Sequence, residues 1–161
     1  MTTITAIEYH FPTNQISNDE NNKLTKKIGI SSRYIAEKDE TASDLAIQAA
    51  EKLFEKGVCK KSEIDFLLFC TQAPDYILPT TACIIQEKLK LPTSCGALDF
   101  NLGCSGFVYG LSLAKGLIES GQARNVLLLT ADKYSKFIHE NDFSTPLLFG
   151  DAAAATLITE Y

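Results

Sequence analysis

The sequence predicts an α/β fold in which a mostly parallel mixed sheet is flanked by helices. Continuous apolar runs, such as residues 64–70 and 125–131, are typical of strands buried on both faces of a sheet. These runs alternate with segments of helical periodicity, and alternation of strand and helix favours parallel strands. The length of 161 residues and a hydrophobic content of 45% indicate one packed domain over residues 1–161.

The first predicted element is a strand at residues 4–9, followed by turn residues. Ser17 and Glu20 have the spacing of a capping box, so we expect a short helix that begins there and ends near Gly29. Thr41 and Asp44 repeat this spacing ahead of a regular apolar stripe, which predicts a longer helix closed by Gly57.

The central elements follow the same alternation. Residues 64–70 read as a buried strand, and residues 80–89 read as a helix that stops before Pro92. Residues 97–101 predict another buried strand, which leads into a helix over residues 105–120.

The final elements are two strands. Residues 125–131 are a continuous apolar run of the kind found in parallel sheets. Residues 146–158 are apolar with a break at Gly150 and Asp151, which we interpret as structural residues. Because this apolar strand is the last element, we expect the chain to be part of a longer protein.

Composition excludes several classes of function. The formal net charge is −5 and Lys and Arg form no basic block, so nucleic acid is not an expected partner. There is neither a signal-peptide pattern nor an apolar run long enough to span a membrane, which predicts a cytoplasmic protein without membrane contact.

Cysteine and histidine patterns argue against metal binding. The five cysteines are odd in number and form no CxxC pair, which favours free thiols over disulfides. The two histidines, His10 and His139, are not near two cysteines in sequence, and we expect both to be solvated or structural. No metal site and no cofactor are expected.

Cys104 is the candidate nucleophile because it lies between a predicted strand and a predicted helix, flanked by Gly103 and Gly106. The helix N-terminus favours a thiolate, and a thiolate can attack a thioester. The glycines allow a sharp turn and close approach of a substrate carbonyl. The alternative is that Cys104 is a small buried hydrophobic residue, which is the usual role of a cysteine in an apolar context.

The other cysteines lack this arrangement of strand, glycine, cysteine, glycine and helix. We therefore assign packing roles, in the core or at the surface, to Cys59, Cys70, Cys83 and Cys95.

The segment 99–109, with its Cys-Ser-Gly-Phe sequence, resembles the active-cysteine segment of β-ketoacyl-acyl-carrier-protein synthase III, a condensing enzyme of the thiolase superfamily. Three further stretches are similar in the same order: Gly29-Ile30 with residues 33–36, residues 79–83 and residues 149–151. Together they span nearly the whole chain.

The resemblance implies a thiolase-like α/β fold, of which this chain is the amino-terminal α-β-α half. The family's catalytic His and Asn lie in the carboxy-terminal half, which is absent from these residues. Cys104 would accept an acyl group, and a malonyl group on acyl-carrier protein would then be decarboxylated and attack it. The implied activity is acyl transfer in fatty-acid or related biosynthesis, by a homodimer.

Two features bear on the substrate. The segment before Gly29 has Lys26 and Lys27 and the chain has no Trp, whereas well-known members carry a Trp and an Arg there for the adenine of coenzyme A. The acyl donor is therefore left open between coenzyme A and carrier protein. Leu78 stands where the resemblance implies a residue that lines the partner's acyl pocket, although it could equally pack against its own domain.

A second class of function is consistent with the same residues. Because no base for Cys104 is found nearby in sequence, the chain could be a non-catalytic α/β module that binds an acyl-carrier protein. We favour the condensing enzyme because four motifs occur in the family's order.

Overall fold

The computed structural model describes all residues, 1–161. It contains seven strands and five α-helices. The strands are β1 (Thr2–His10), β2 (Asn14–Ser17), β3 (Ser32–Ile35), β4 (Phe66–Cys70), β5 (Gly96–Phe100), β6 (Asn125–Asp132) and β7 (Ala152–Glu160). The helices are α1 (Lys23–Ile28), α2 (Ala42–Glu55), α3 (Thr81–Leu89), α4 (Gly106–Glu119) and α5 (Thr145–Leu148).

Five strands form the main sheet in the order β1-β7-β6-β4-β5. β4 pairs in parallel with β5 and β6, while β7 is antiparallel to both β6 and β1. Four strands therefore point the same way and only β7 opposes them. The predicted α/β fold with a mostly parallel mixed sheet is confirmed.

Two layers of helices cover this sheet. α2 packs against β1, β6, β7 and α3 on one face, whereas α4 packs against β4 and β6 on the other. Successive residues of β4 point to opposite faces, so Leu67 belongs to the larger core under α2 and α3, and Leu68 belongs to the smaller core under α4. No helix has the length and apolar character needed to cross a bilayer.

The predicted helix over residues 41–57 is confirmed in detail. Thr41 is the N-cap of α2 and accepts a hydrogen bond from the Asp44 N–H, while the Asp44 carboxylate accepts one from the Thr41 N–H. This reciprocal capping box satisfies two backbone donors at the helix start. Gly57 follows the helix with a positive φ of 69°, a left-handed conformation that glycine adopts without strain.

The predicted start of the first helix is wrong. Ser17 is the last residue of β2, which forms a two-stranded antiparallel ribbon with β3. α1 begins later, with Asn22 as the N-cap, and it ends at Gly29 as predicted. A capping-box spacing is short and common among polar residues, so at Ser17 it is overridden by strand pairing with Ser32.

The strand predicted at residues 97–101 is confirmed, but the expectation that it is buried is wrong. β5 lies at the edge of the sheet and pairs only with β4. Its side chains are half-buried or exposed, and Leu98 retains 44% of its surface accessible to solvent. An apolar run alone does not tell whether a strand has one neighbour or two.

Candidate active site

The turn that carries Cys104 connects the end of β5 to the start of α4. Within it the Gly106 N–H donates to the Gly103 carbonyl at 2.8 Å. Ser105 is the N-cap of α4, a helix of 14 residues, so Cys104 lies one residue before the N-cap and two before the first helical residue. Cys104 is exposed, and the alternative that it is a buried hydrophobic residue is therefore wrong.

Close packing explains why this turn is built from glycines. A Cβ at Gly106 would collide with the Sγ of Cys70, and one at Gly103 would lie 2.9 Å from Oε1 of Gln72. The turn thus packs against the end of β4. A larger residue at position 106 would displace the buried Cys70 thiol, whereas at position 103 only the flexible end of the Gln72 side chain would have to move. Gly106, predicted to allow a sharp turn, is needed here for close approach.

A cavity of about 420 Å³ opens beside Cys104 at the carboxyl end of the parallel strands. This edge is where ligands bind in open α/β sheets. Ten of the 14 lining residues are hydrophobic, so the cavity suits an apolar group. The lining residues are Tyr9, Phe11, Cys70, Leu102, Gly103, Cys104, Phe107, Thr130, Ala131, Asp132, Gly150, Ala152, Ala153 and Ala154.

Asp132, at the end of β6, is the one acidic residue in this lining. Its Oδ1 accepts hydrogen bonds from the Gln72 N–H at 2.7 Å and from the Thr71 hydroxyl at 3.1 Å. Burial raises the pKa of the carboxyl group above its ordinary value, although these bonds and Lys136 oppose the shift. Asp132 was not predicted as a site residue, although it is a charged residue directly after the apolar run that predicts a parallel strand.

Cys70 contributes a second thiol to the cavity wall, but it is buried. Its Sγ–H donates to the Leu102 carbonyl at 3.3 Å, and burial raises its pKa. Burial also raises the pKa of Cys59 and of Cys95 to about 11 in each case, and neither lines the cavity. Of the five cysteines, only Cys104 is both exposed and part of the cavity lining.

Neither histidine is part of the cavity lining. His10 lies between Tyr9 and Phe11, which do line the cavity, and burial together with nearby Lys52 lowers its pKa. Strand alternation directs neighbouring side chains to opposite faces, which accounts for its absence from the cavity. His139 is exposed, and its Nδ1 accepts a hydrogen bond from the Asn141 N–H at 3.2 Å.

Asp151 has the structural contacts expected of it. Its carboxylate is buried and accepts hydrogen bonds from the N–H groups of Ala36 and Ser135, both at 2.9 Å, and from the Ser135 hydroxyl at 2.5 Å. It therefore fastens the segments that follow β3 and β6 to the start of β7.

The chain is similar in sequence to a family of known proteins. A sequence profile for 3-oxoacyl-(acyl-carrier-protein) synthase III matches residues 98–161. β-Ketoacyl-(acyl-carrier-protein) synthase III of Sulfurovum sp. is 44% identical over 137 residues, which cover 84% of this chain and 40% of that protein. The protein of the same name from Neisseria meningitidis is 36% identical over 158 residues, covering 93% and 49%. The chain spans about half the length of the curated relatives it matches.

Solved structures agree with the sequence matches. A crystal structure of 3-oxoacyl-(acyl-carrier-protein) synthase III superposes with a TM-score of 0.96 at 51% identity, covering 99% of this chain and 50% of that one. That of 3-oxoacyl-(acyl-carrier-protein) synthase from Burkholderia xenovorans gives a TM-score of 0.96 at 39% identity, with 99% and 48% covered. The chain is a synthase III-like protein of the thiolase superfamily. Its fold is therefore thiolase-like, as predicted.

The match to the synthase III profile covers the cysteine turn, α4 and the strands β6 and β7, but it begins at residue 98 and does not include Leu78. Leu78 lies in the loop before α3 and is 80% exposed, next to Ile77 at 94%. The alternative that Leu78 packs against its own domain is wrong. Its predicted contact with a partner's acyl pocket stays a prediction.

Both ends of this loop are anchored. Before it, the Asp75 carboxylate accepts hydrogen bonds from the Ser43 hydroxyl at 2.5 Å and from the Thr41 hydroxyl at 3.2 Å. After it, the Asp99 carboxylate accepts from the N–H groups of Thr81 and Ala82 at 2.6 and 2.5 Å. A carboxylate at a helix start accepts hydrogen bonds from free backbone N–H groups and interacts favourably with the positive end of the helix dipole. The loop therefore has fixed ends and a free apolar tip.

Proposed function

We propose that this chain is the nucleophile-bearing, amino-terminal half of a condensing acyltransferase. In the first step the Cys104 thiolate attacks the carbonyl carbon of an acyl thioester. The carbon–sulfur bond to the donor breaks, the donor leaves as a thiolate that takes up a proton, and the acyl group stays on Cys104. The one observation that carries this proposal is the exposed Cys104 at the edge of a largely apolar cavity.

In the second step, a malonyl group on acyl-carrier protein loses CO₂ and the resulting carbanion attacks the acyl carbon, releasing Cys104. This step needs groups that stabilise negative charge and move protons. Neither histidine of this chain lines the cavity. We therefore assign that role to the His and Asn of the family's other half. The product is a 3-oxoacyl group on acyl-carrier protein, as the names of the relatives indicate for those proteins.

The proposed substrates are an acyl thioester, on coenzyme A or on carrier protein, and malonyl-acyl-carrier protein. A largely apolar cavity of about 420 Å³ supports an acyl chain as the occupant. The proposed location is the cytoplasm, which five free cysteines support.

We further propose a homodimer in which β5 pairs with its copy across a two-fold axis. β5 has an unpaired edge, and the neighbouring start of α4 exposes Phe107, Val108 and Tyr109. An unprotected edge strand beside an apolar surface favours pairing with a second chain. In that arrangement the exposed loop with Leu78 would reach the partner's cavity. Light scattering that gives a monomer mass for the intact enzyme would contradict the dimer.

The first step is tested by the mass of the intact protein after incubation with acetyl and longer acyl thioesters of coenzyme A and of carrier protein. We expect one acyl group to be added in the wild type and in Cys83→Ala, a matched control that removes an exposed thiol outside the cavity. Cys104→Ala should remain unmodified. An adduct that persists in Cys104→Ala, or no adduct with any donor, would overturn the proposal.

A further inference from the structure

The turn that carries Cys104 packs against the end of β4 and the residues that follow it. The Thr71 N–H donates to the Phe100 carbonyl at 3.2 Å, and the Cys70 Sγ–H donates to the Leu102 carbonyl at 3.3 Å. The Gln72 side chain lies against Gly103, one residue before Cys104. Residues 70–72 thus contact residues 100–103 at three successive points.

The position of residues 71–72 is fixed in turn from the other side by Asp132. One carboxylate oxygen, Oδ1, accepts from both the Gln72 N–H at 2.7 Å and the Thr71 hydroxyl at 3.1 Å. Thr71 is buried, and its hydroxyl oxygen also accepts from the Ala73 N–H at 2.9 Å. Asp132 therefore fixes the turn that leaves β4, and that turn supports the one that carries Cys104.

A carboxylate in an apolar cavity wall costs stability unless hydrogen bonds or an opposite charge compensate for its burial. Asp65, directly before β4, also links β4 to β6, but at the solvent-exposed amino end of the two strands. Its Oδ2 accepts from the N–H groups of Arg124 and Asn125 at 2.8 and 2.9 Å. What distinguishes Asp132 is its place in the cavity with Cys104.

We propose that Asp132 is a positioning residue for acyl transfer: its Oδ1 holds Thr71 and Gln72 where they fix the turn that carries Cys104. This inference rests on the proposed function of Cys104 as acyl acceptor. Displacing a nucleophile by about 1 Å costs on the order of 100-fold in rate. The role needs the acceptor oxygen rather than the negative charge, and an asparagine can supply that oxygen.

The test compares Asp132→Ala, Asp132→Asn and the matched control Asp65→Ala in the intact protein. We expect Asp132→Ala to lower the limiting rate of Cys104 acylation about tenfold or more, with a half-saturating donor concentration within about threefold of wild type. Asp132→Asn should stay within about threefold in rate, because its oxygen can accept both hydrogen bonds. Asp65→Ala should leave the acylation rate unchanged even if it lowers the melting temperature.

Amide hydrogen exchange gives a readout that does not depend on acylation. Asp132→Ala should speed exchange of the Gly106 N–H, which bonds Gly103, by about tenfold or more, and Asp65→Ala should not. If Asp132→Ala fails to fold, Thr71→Val, which removes only the hydroxyl, should show the same effects to a smaller extent.

The possible failures are distinguishable. A wild type that is acylated, together with an Asp132→Ala variant that matches Asp65→Ala in rate and exchange, would overturn the positioning role and leave the proposed function standing. A wild type that takes up no acyl group would overturn both.

Discussion

The two ends of the central strands β4 and β6 are built alike and differ in what they expose. At each end an aspartate side chain of one strand binds the segment beside the other, Asp65 at the amino end and Asp132 at the carboxyl end. At the amino end the aspartate faces solvent, and the nearby thiols of Cys59 and Cys95 are partly or fully buried. At the carboxyl end the aspartate lines a cavity that also contains the exposed Cys104.

This contrast shows that strand direction decides which end of the sheet carries the candidate site. Parallel strands bring their carboxyl ends to one edge, where chain segments diverge and leave a crevice. β7 runs the opposite way and delivers its first residues, the alanines at 152–154, to that edge. Their small side chains leave space that larger residues would fill. At the amino end, Asp65 links β4 to β6 and is exposed to solvent.

The largest expected difference between the two ends is in thiol reactivity. Raising the pKa of Cys95 from 9.0 to about 11 lowers its thiolate fraction at about pH 8 roughly 100-fold. We expect iodoacetamide to label Cys104 first and Cys95 last, as measured by peptide mass spectrometry over time. Cys83, exposed but outside the cavity, provides the reference. Equal labelling of Cys95 and Cys104 would remove the contrast between the ends.

The second difference concerns the glycines of α4, which runs from the carboxyl end towards the amino end. Gly106→Ala forces a Cβ against Cys70, so we expect a loss of about 1–3 kcal/mol in the free energy of unfolding. Gly116→Ala in the same helix meets no atom within 4 Å and should gain roughly 0.5–1 kcal/mol. Urea unfolding of both variants gives the comparison. A Gly106→Ala protein as stable as Gly116→Ala would show that the cysteine turn is loosely packed.

The third expected effect is a pH dependence of stability that comes from Asp132 at the carboxyl end. Because the pKa of Asp132 is raised in the folded protein, this carboxyl favours folding below its ordinary pKa of 3.8, and that contribution is lost as pH rises through the folded pKa. Lys136 is the charged neighbour that opposes this shift. We therefore expect Asp132→Asn to gain stability relative to wild type as pH rises, in urea unfolding from about pH 4 to about pH 7. A stability difference between Asp132→Asn and wild type that stays constant over this pH range would contradict the prediction.

The smallest effect belongs to a surface ion pair near the amino end of the sheet. Lys115 and Glu119 lie one turn apart on α4 with a distance of 3.6 Å between Nζ and Oε2, and both are more than half exposed. Exposed pairs of this kind contribute about 0.3–0.5 kcal/mol. Lys115→Ala should lower the free energy of unfolding by no more than that and leave Cys104 acylation unchanged. A change in acylation would mean that the whole length of α4 affects the site.

The sequence was sufficient to predict the elements that depend on local signals. The Thr41 capping box, the glycine at the end of α1 and the apolar runs of β4 and β6 each act through residues a few positions apart. The candidate nucleophile was found the same way, because the turn between β5 and α4 is contiguous in sequence.

What the sequence could not predict depends on residues that meet only after folding. The edge position of β5 follows from the order of strands, which no local pattern records. Asp132 lies 28 positions beyond Cys104 in the sequence and enters the cavity only because β4 lies between β5 and β6. The spacing of Ser17 and Glu20 was a local signal that a strand pairing overrode.

The loop that carries Leu78 combines two hydrogen-bonded ends with a tip that the rest of the domain does not bury. Its ends, tied by Asp75 and Asp99, must be kept for α2 and α3 to stay in place. The side chains at its tip are not packed against the rest of the domain, since Tyr76, Ile77 and Leu78 are each more than 60% exposed. Substitutions at the tip are thereby nearly free of cost to folding. The size and shape of these three side chains can therefore be changed by mutation while the fold that presents them is kept.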